Sequence, residues 1–98
     1  MEDDDWSWHD AKAFKNARDH RVTFEQSKAV FRDLAANEVV DDREDYGEER
    51  INITGRDGSG NLLVVTYTMR AWRRHLISAR KANSNEQDEF YAAIGGND

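Results

Sequence analysis

The chain has 98 residues, 35% of them charged and 38% hydrophobic, with no cysteine, no proline and a formal net charge of −6. That length holds one domain with one modest core, so a single domain over residues 1–98 is expected, and the absence of cysteine excludes a disulfide framework and a cysteine-ligated metal. No apolar run approaches the ~20 residues a bilayer span needs, and the start Glu2-Asp3-Asp4-Asp5 is the opposite of a basic signal peptide; a cytoplasmic protein without a membrane partner is expected.

The first five residues read as a mobile acidic tail. A short strand around Trp6–Trp8 is possible. Asp10 is a candidate N-cap for a helix to about His20, with Phe14 and Ala17 on its apolar side. Lys12, Asn16 and His20 recur at four-residue intervals and form one polar stripe on that helix. Such a stripe is either a solvated face or a phosphate grip carrying a proton-transfer group. Thr23 with Gln26 forms a capping box for a second helix, whose buried face is Phe24, Phe31, Leu34 and Ala35.

From residue 38 the period changes to that of strands. Val39-Val40 is a short strand, residues 41–49 a charged loop, and Arg50–Thr54 alternates so that Ile51 and Ile53 face the core. Asp57–Asn61 predicts a hairpin turn, and 62–69 a central strand. After a tight connection at Ala71-Trp72, residues 73–80 alternate again, but each face mixes basic and apolar residues. Ser84 with Gln87 suggests a capping box for a last helix carrying Phe90 and Ile94, ended by Gly95-Gly96, with 95–98 frayed. The class is α+β: two N-terminal helices, a three- to four-stranded antiparallel sheet and a C-terminal helix, with the helices on one sheet face.

Charge is segregated. Residues 1–57 hold 16 acids against 9 bases, residues 86–98 hold 4 acids and no base, and residues 58–85 hold no acid but five bases: Arg70, Arg73, Arg74, Arg80 and Lys81, with His75 among them. Those arginines require either distant acidic partners or an external anion such as phosphate. His9, Asp10 and His20 follow no metal-ligand spacing, Ser78 lacks a nucleophile elbow, and the glycines at 55–60 belong to a hairpin rather than a phosphate loop. No cofactor is expected. Trp6, Trp8 and Trp72 fill a small core or form an exposed aromatic patch.

Taken together, these residues make the chain similar to the BrnT family, ribonuclease toxins of a bacterial type II toxin–antitoxin system. The resemblance runs from Trp8 through Lys12, Asn16 and His20, Val22-Thr23-Phe24-Glu25, Phe31, Asp33, Glu49-Arg50, Gly55 and the 64–68 strand to Ile77-Ser78-Ala79-Arg80-Lys81-Ala82 and Tyr91. It implies a RelE-like fold and metal-independent endoribonuclease activity that inhibits translation. It also implies neutralisation by a BrnA-type ribbon-helix-helix antitoxin, with DNA reached only through the antitoxin complex. Cleavage by attack of the RNA 2′-hydroxyl on the adjacent phosphate needs a base, an acid and cations. His20 is then the expected proton-transfer group, with Lys12 as helper. Arg80 and one of Arg50, Arg70 or Arg74 would hold the phosphate, Asn16 would join the substrate site, and Tyr91, Phe90 or Trp72 would stack a base. The sequence departs from the family at His9, where aspartate is common, at Asp19-His20-Arg21, where Lys-His-Gly is common, and at Arg74-His75. The alternative is a catalytically weak or inactive BrnT-like protein acting in antitoxin binding and operon autorepression.

Overall fold

A computed structural model describes residues 1–95. Strand β1 (Trp6–Ser7) leads into helix α1 (Asp10–His20) and a short helix α2 (Phe24–Ser27) that tightens into a 3₁₀ turn at Lys28–Arg32. Strands β2 (Asn37–Asp41), β3 (Arg50–Arg56), β4 (Leu62–Arg70) and β5 (Arg73–Lys81) follow, then helix α3 (Ser84–Ala93). One sheet takes the order β1-β5-β4-β3-β2. The four long strands are antiparallel, as their hairpin turns require, and β1 adds a fifth strand, parallel to β5.

Successive side chains alternate across β4. Leu63, Val65 and Tyr67 face α1, α2 and the 3₁₀ turn, packing with Val22, Phe24, Val30, Ile53, Leu76 and Ala79. Leu62 and Val64 face the other way and pack with Ala82 and Phe90. The helices therefore divide between the two sheet faces, with α3 opposite α1. Alternation puts Leu76 and Ala79 on opposite faces of an ideal strand, yet both lie in the main core. A bulge resolves this: Thr66 pairs with Ser78 and Tyr67 with Leu76, leaving Ile77 as the extra residue. The mixed faces of residues 73–80 are the sequence trace of that bulge.

Several local expectations change. His9, not Asp10, occupies the N-cap position of α1. That helix seats Ala13, Asn16 and Ala17 on the sheet and turns Phe14 into solvent, 72% exposed. The second helix stops early: Asp33 takes Arg56 in a two-point ion pair and the Ala35 N–H, the chain turns, and Leu34 is fully exposed. The box at α3 is Asn83 with Glu86, one residue earlier than Ser84 with Gln87, and Ile94 is exposed rather than packed. Thr23 and Gln26 do form their box. The acidic residues 2–5, expected as a tail, fold back: Asp3 accepts from the Asp5 and Trp6 N–H groups, and its own carbonyl takes Arg73. Gly95 has a positive φ; of the frayed end expected at 95–98, residues 96–98, Gly96 among them, lie outside the described residues.

Candidate functional site

The pairing of β1 with β5 sets Ser7 opposite His75. Ser7 Oγ and His75 Nδ1 are 2.8 Å apart in a buried contact. No residue among those described hydrogen-bonds the other ring nitrogen, Nε2, so a base there would carry its own proton on Nδ1, donated to Ser7. At the start of α1, His9 brings its ring to 5.2 Å from that of His75, edge to face. The β4–β5 turn closes the rim with Arg70, Ala71 and Arg73, making a hollow of about 420 Å³. Burial lowers the His75 pKa from its ordinary value, as do the charges of Arg70, His9 and Lys12, with Glu48 opposing them. His75 is thereby held neutral near pH 7, a state suited to taking a proton.

The residues singled out in the sequence scatter over the surface. Lys12, Asn16 and His20 do meet, around a smaller hollow of about 200 Å³ shared with Lys15, Asp19, Ile77 and Ser78. Within it Asn16 is buried and fully engaged, donating to the Val22 and Ala79 carbonyls and accepting from the Ala79 N–H. Asp19 ties up Lys15 at 2.7 Å and Arg18 at 3.0 Å. Arg80 lines a different hollow, of about 460 Å³, between β2, β3 and α3 on the opposite sheet face, and forks onto Glu86 at 2.7 and 2.8 Å. Arg70 pairs with Glu48 at 2.9 Å. Arg50 lies over the Tyr46 ring, its buried Nε making no hydrogen bond but lying 3.7 Å from Glu48 Oε2, and Arg74 lies over Trp6 and Phe31. Tyr91 sits beside Phe90 at a fourth hollow with Lys81 and Gln87.

The arginines of the acid-free segment thus mostly find acidic partners outside it: Glu48 for Arg70, Glu2 for Arg73 and, six residues on, Glu86 for Arg80. Among the described residues, Lys12, Arg21, Arg32, Arg74 and Lys81 enter no ion pair. Sequence reasoning missed the His9–His75 pair because a two-residue parallel strand leaves no periodicity to read. The available signal was a histidine inside the cationic segment.

On a small α+β domain, a histidine pair in a hollow with a basic rim suits proton transfer beside an anionic group. The family model for the ribonuclease toxin BrnT of type II toxin–antitoxin systems matches residues 8–86, and the chain belongs to that family. A 1.1 Å crystal structure of the Brucella abortus ribonuclease toxin BrnT shares the fold at a TM-score of 0.64 and 17% identity, covering 82% of this chain and 97% of that one. No curated protein matches the sequence.

Proposed function

We propose that this chain is the toxin of a type II pair and cleaves RNA by internal attack of the 2′-hydroxyl, with its centre at His75 and His9. The observation that carries the reading is the buried His75, oriented by Ser7 and facing His9 across a basic-rimmed hollow. Neutral His75 Nε2 takes the 2′-hydroxyl proton; O2′ bonds to phosphorus as the bond to the 5′ oxygen breaks; protonated His9 supplies that oxygen's proton. The products are a 2′,3′-cyclic phosphate and a 5′-hydroxyl. Rings 5.2 Å apart bring both histidines within hydrogen-bonding reach of one phosphate. Arg70, Arg73 and Lys12 supply positive charge to the phosphorane. The expected RelE-like character, cytoplasmic setting, inhibition of translation, and BrnA-type ribbon-helix-helix antitoxin that carries the DNA contact belong to the same reading, supported by family membership. His20, in the hollow beside Lys12, extends the surface along which RNA would lie.

The test is cleavage of a short RNA by purified protein in EDTA, comparing the wild type with His75→Gln. Expected are a cyclic-phosphate product and a loss of about 10²–10⁴ in rate for the variant. Cleavage that needs added metal, or that ignores His75→Gln, overturns the assignment. The second reading, a weak or inactive toxin retained for antitoxin binding, is favoured by one observation: the ion pairs to Glu48, Glu2 and Glu86 already neutralise most of the arginines a phosphate would use. Intact RNA after exposure to wild-type protein would promote it.

A further inference from the structure

We infer that Trp72 is a stacking platform for one nucleobase of the RNA, placing the adjoining phosphate at the His9–His75 hollow; this rests on the reading above. Arg70 pairs directly with Arg73, so Ala71 and Trp72 alone form the turn. Both have positive φ, 48° and 69°. A two-residue turn of this kind matches the twist of its strands, but it favours Asn-Gly, because a side chain with a Cβ is strained in the left-handed region. Here the second position instead holds the largest side chain available, 91% exposed and making no aromatic contact among the described residues. Trp6 and Trp8, by contrast, pack on the core. Folding gains nothing from an indole at that position, whereas a ligand with a flat face does.

The surroundings specify the ligand. Residues on either side of Trp72, Ala71 and Arg73, line the histidine hollow, and Arg70 joins them. The ion pairs of Arg70 with Glu48 and of Arg73 with Glu2 are part-exposed and screened by solvent, so a phosphate competes with either carboxylate for its guanidinium group. A flat hydrophobic face between two arginines, three residues before His75 of the proton-transfer pair, fits a single-stranded nucleotide: base on the indole, phosphate on the guanidinium groups. Base–aromatic stacking tolerates any base, so Trp72 contributes affinity and register rather than sequence choice.

The experiment measures affinity for a short RNA carrying 2′-deoxy substitution at the cleavage position, which blocks the attack. Trp72→Leu should weaken binding about 5- to 150-fold, the range for one stacked base, with Trp72→Phe between it and the wild type. Replacing the stacked nucleotide by an abasic one should cost the wild type a similar factor and cost Trp72→Leu little, so that the two losses do not add. Leu34→Ala, at an exposed apolar residue on the 3₁₀ turn side, controls for general loss of surface hydrophobicity and should bind as the wild type does. Unchanged affinity in Trp72→Leu, as expected of an indole that serves a protein partner, or additive losses, overturns the inference while leaving cleavage at His75 standing. Wild-type protein that neither binds nor cleaves the corresponding all-ribose RNA overturns both.

Discussion

Asn16 binds Ala79 as a neighbouring strand would: its Oδ1 accepts the Ala79 N–H at 3.0 Å and its Nδ2 donates to the Ala79 carbonyl at 2.8 Å. The edge of β5 is thereby closed twice, by β1 at Arg74 and His75 and by one amide side chain four residues further on. Asn16 also reaches the Val22 carbonyl at 2.9 Å, fixing the chain just beyond the left-handed Arg21 that ends α1. Asn16→Ala leaves an N–H and two carbonyls without this partner, and each buried unpaired group costs about 1–3 kcal/mol. A loss of about 3 kcal/mol in urea unfolding is expected, with the slope against denaturant unchanged. A loss under about 1 kcal/mol would mean that water replaces the amide.

That clamp also shows what the sequence could disclose. The spacing of Lys12, Asn16 and His20 was legible, and so were the hairpin at Asp57–Asn61, the alternation of Ile51 and Ile53, and the Thr23–Gln26 box, because each is a local pattern. Asn16's burial was not legible. An amide on a polar stripe looks solvated until a strand from 63 residues away supplies its partners. The same applies to arginines 70, 73 and 80. Local charge counting left them open between distant acids and an external anion; Arg70 reaches Glu48 over 22 residues and Arg73 reaches back to Glu2, while Arg80 takes Glu86 only six residues on. Phe14 was misread because helix periodicity does not say which face meets the sheet, and Leu34 because the helical run ends at Arg32, before it.

The pH dependence of stability separates His75 from the carboxylates. Its folded pKa lies below the ordinary 6.5, so between the two values the unfolded chain binds the extra proton. This contribution is fully present above pH 6.5 and is lost as pH falls through the folded value. Glu86, held down to about 2 by Arg80, contributes above its ordinary 4.5 and loses that contribution only as pH falls toward 2. Unfolding free energy should therefore decline on going from pH 7 to 5, and His75→Gln should flatten that stretch while keeping the steeper acid limb. An identical slope in the variant would remove His75 as its source.

Arg80 discriminates between the two sheet faces. It lines the α3 hollow and forks onto Glu86, whose Oε1 also accepts the Asn83 N–H in the capping box. If cleavage proceeds at His75, Arg80→Ala should change the cleavage rate by less than about threefold. Its cost should appear in the docking of α3, by about 1 kcal/mol or less for a part-exposed pair. Loss of cleavage by 10² or more, the effect of removing a group that stabilises transition-state charge, would move the centre to the α3 face.

Gly55 tests the packing between β3 and the 3₁₀ turn. A Cβ there would lie 3.0 Å from Val30 Cγ1, 3.1 Å from the Ala36 Cβ and 3.3 Å from the Val30 carbonyl oxygen. Val30 is fully buried in the main core and cannot retreat into open space. Gly55→Ala is expected to destabilise by about 1–3 kcal/mol, as overpacking does, read as a lowered midpoint in thermal unfolding. An unchanged midpoint would show that the 3₁₀ turn shifts at no cost.

The β4–β5 turn should display a trade between stability and binding. Ala71 and Trp72 both hold positive φ, the conformation in which Asn and Gly are least strained. The double change Ala71→Asn with Trp72→Gly relieves that strain at both positions and leaves the pairing of Arg70 with Arg73 intact. Relief of left-handed strain is opposed by the added chain entropy of glycine, so a net gain of about 1 kcal/mol in unfolding free energy is expected. The same protein should bind the non-cleavable RNA at least as weakly as Trp72→Leu does, because glycine offers no face to a base. Higher stability together with full RNA affinity would show that the indole is unrelated to binding. Lower stability would show that the turn draws support from Trp72 that its 91% exposure does not reveal.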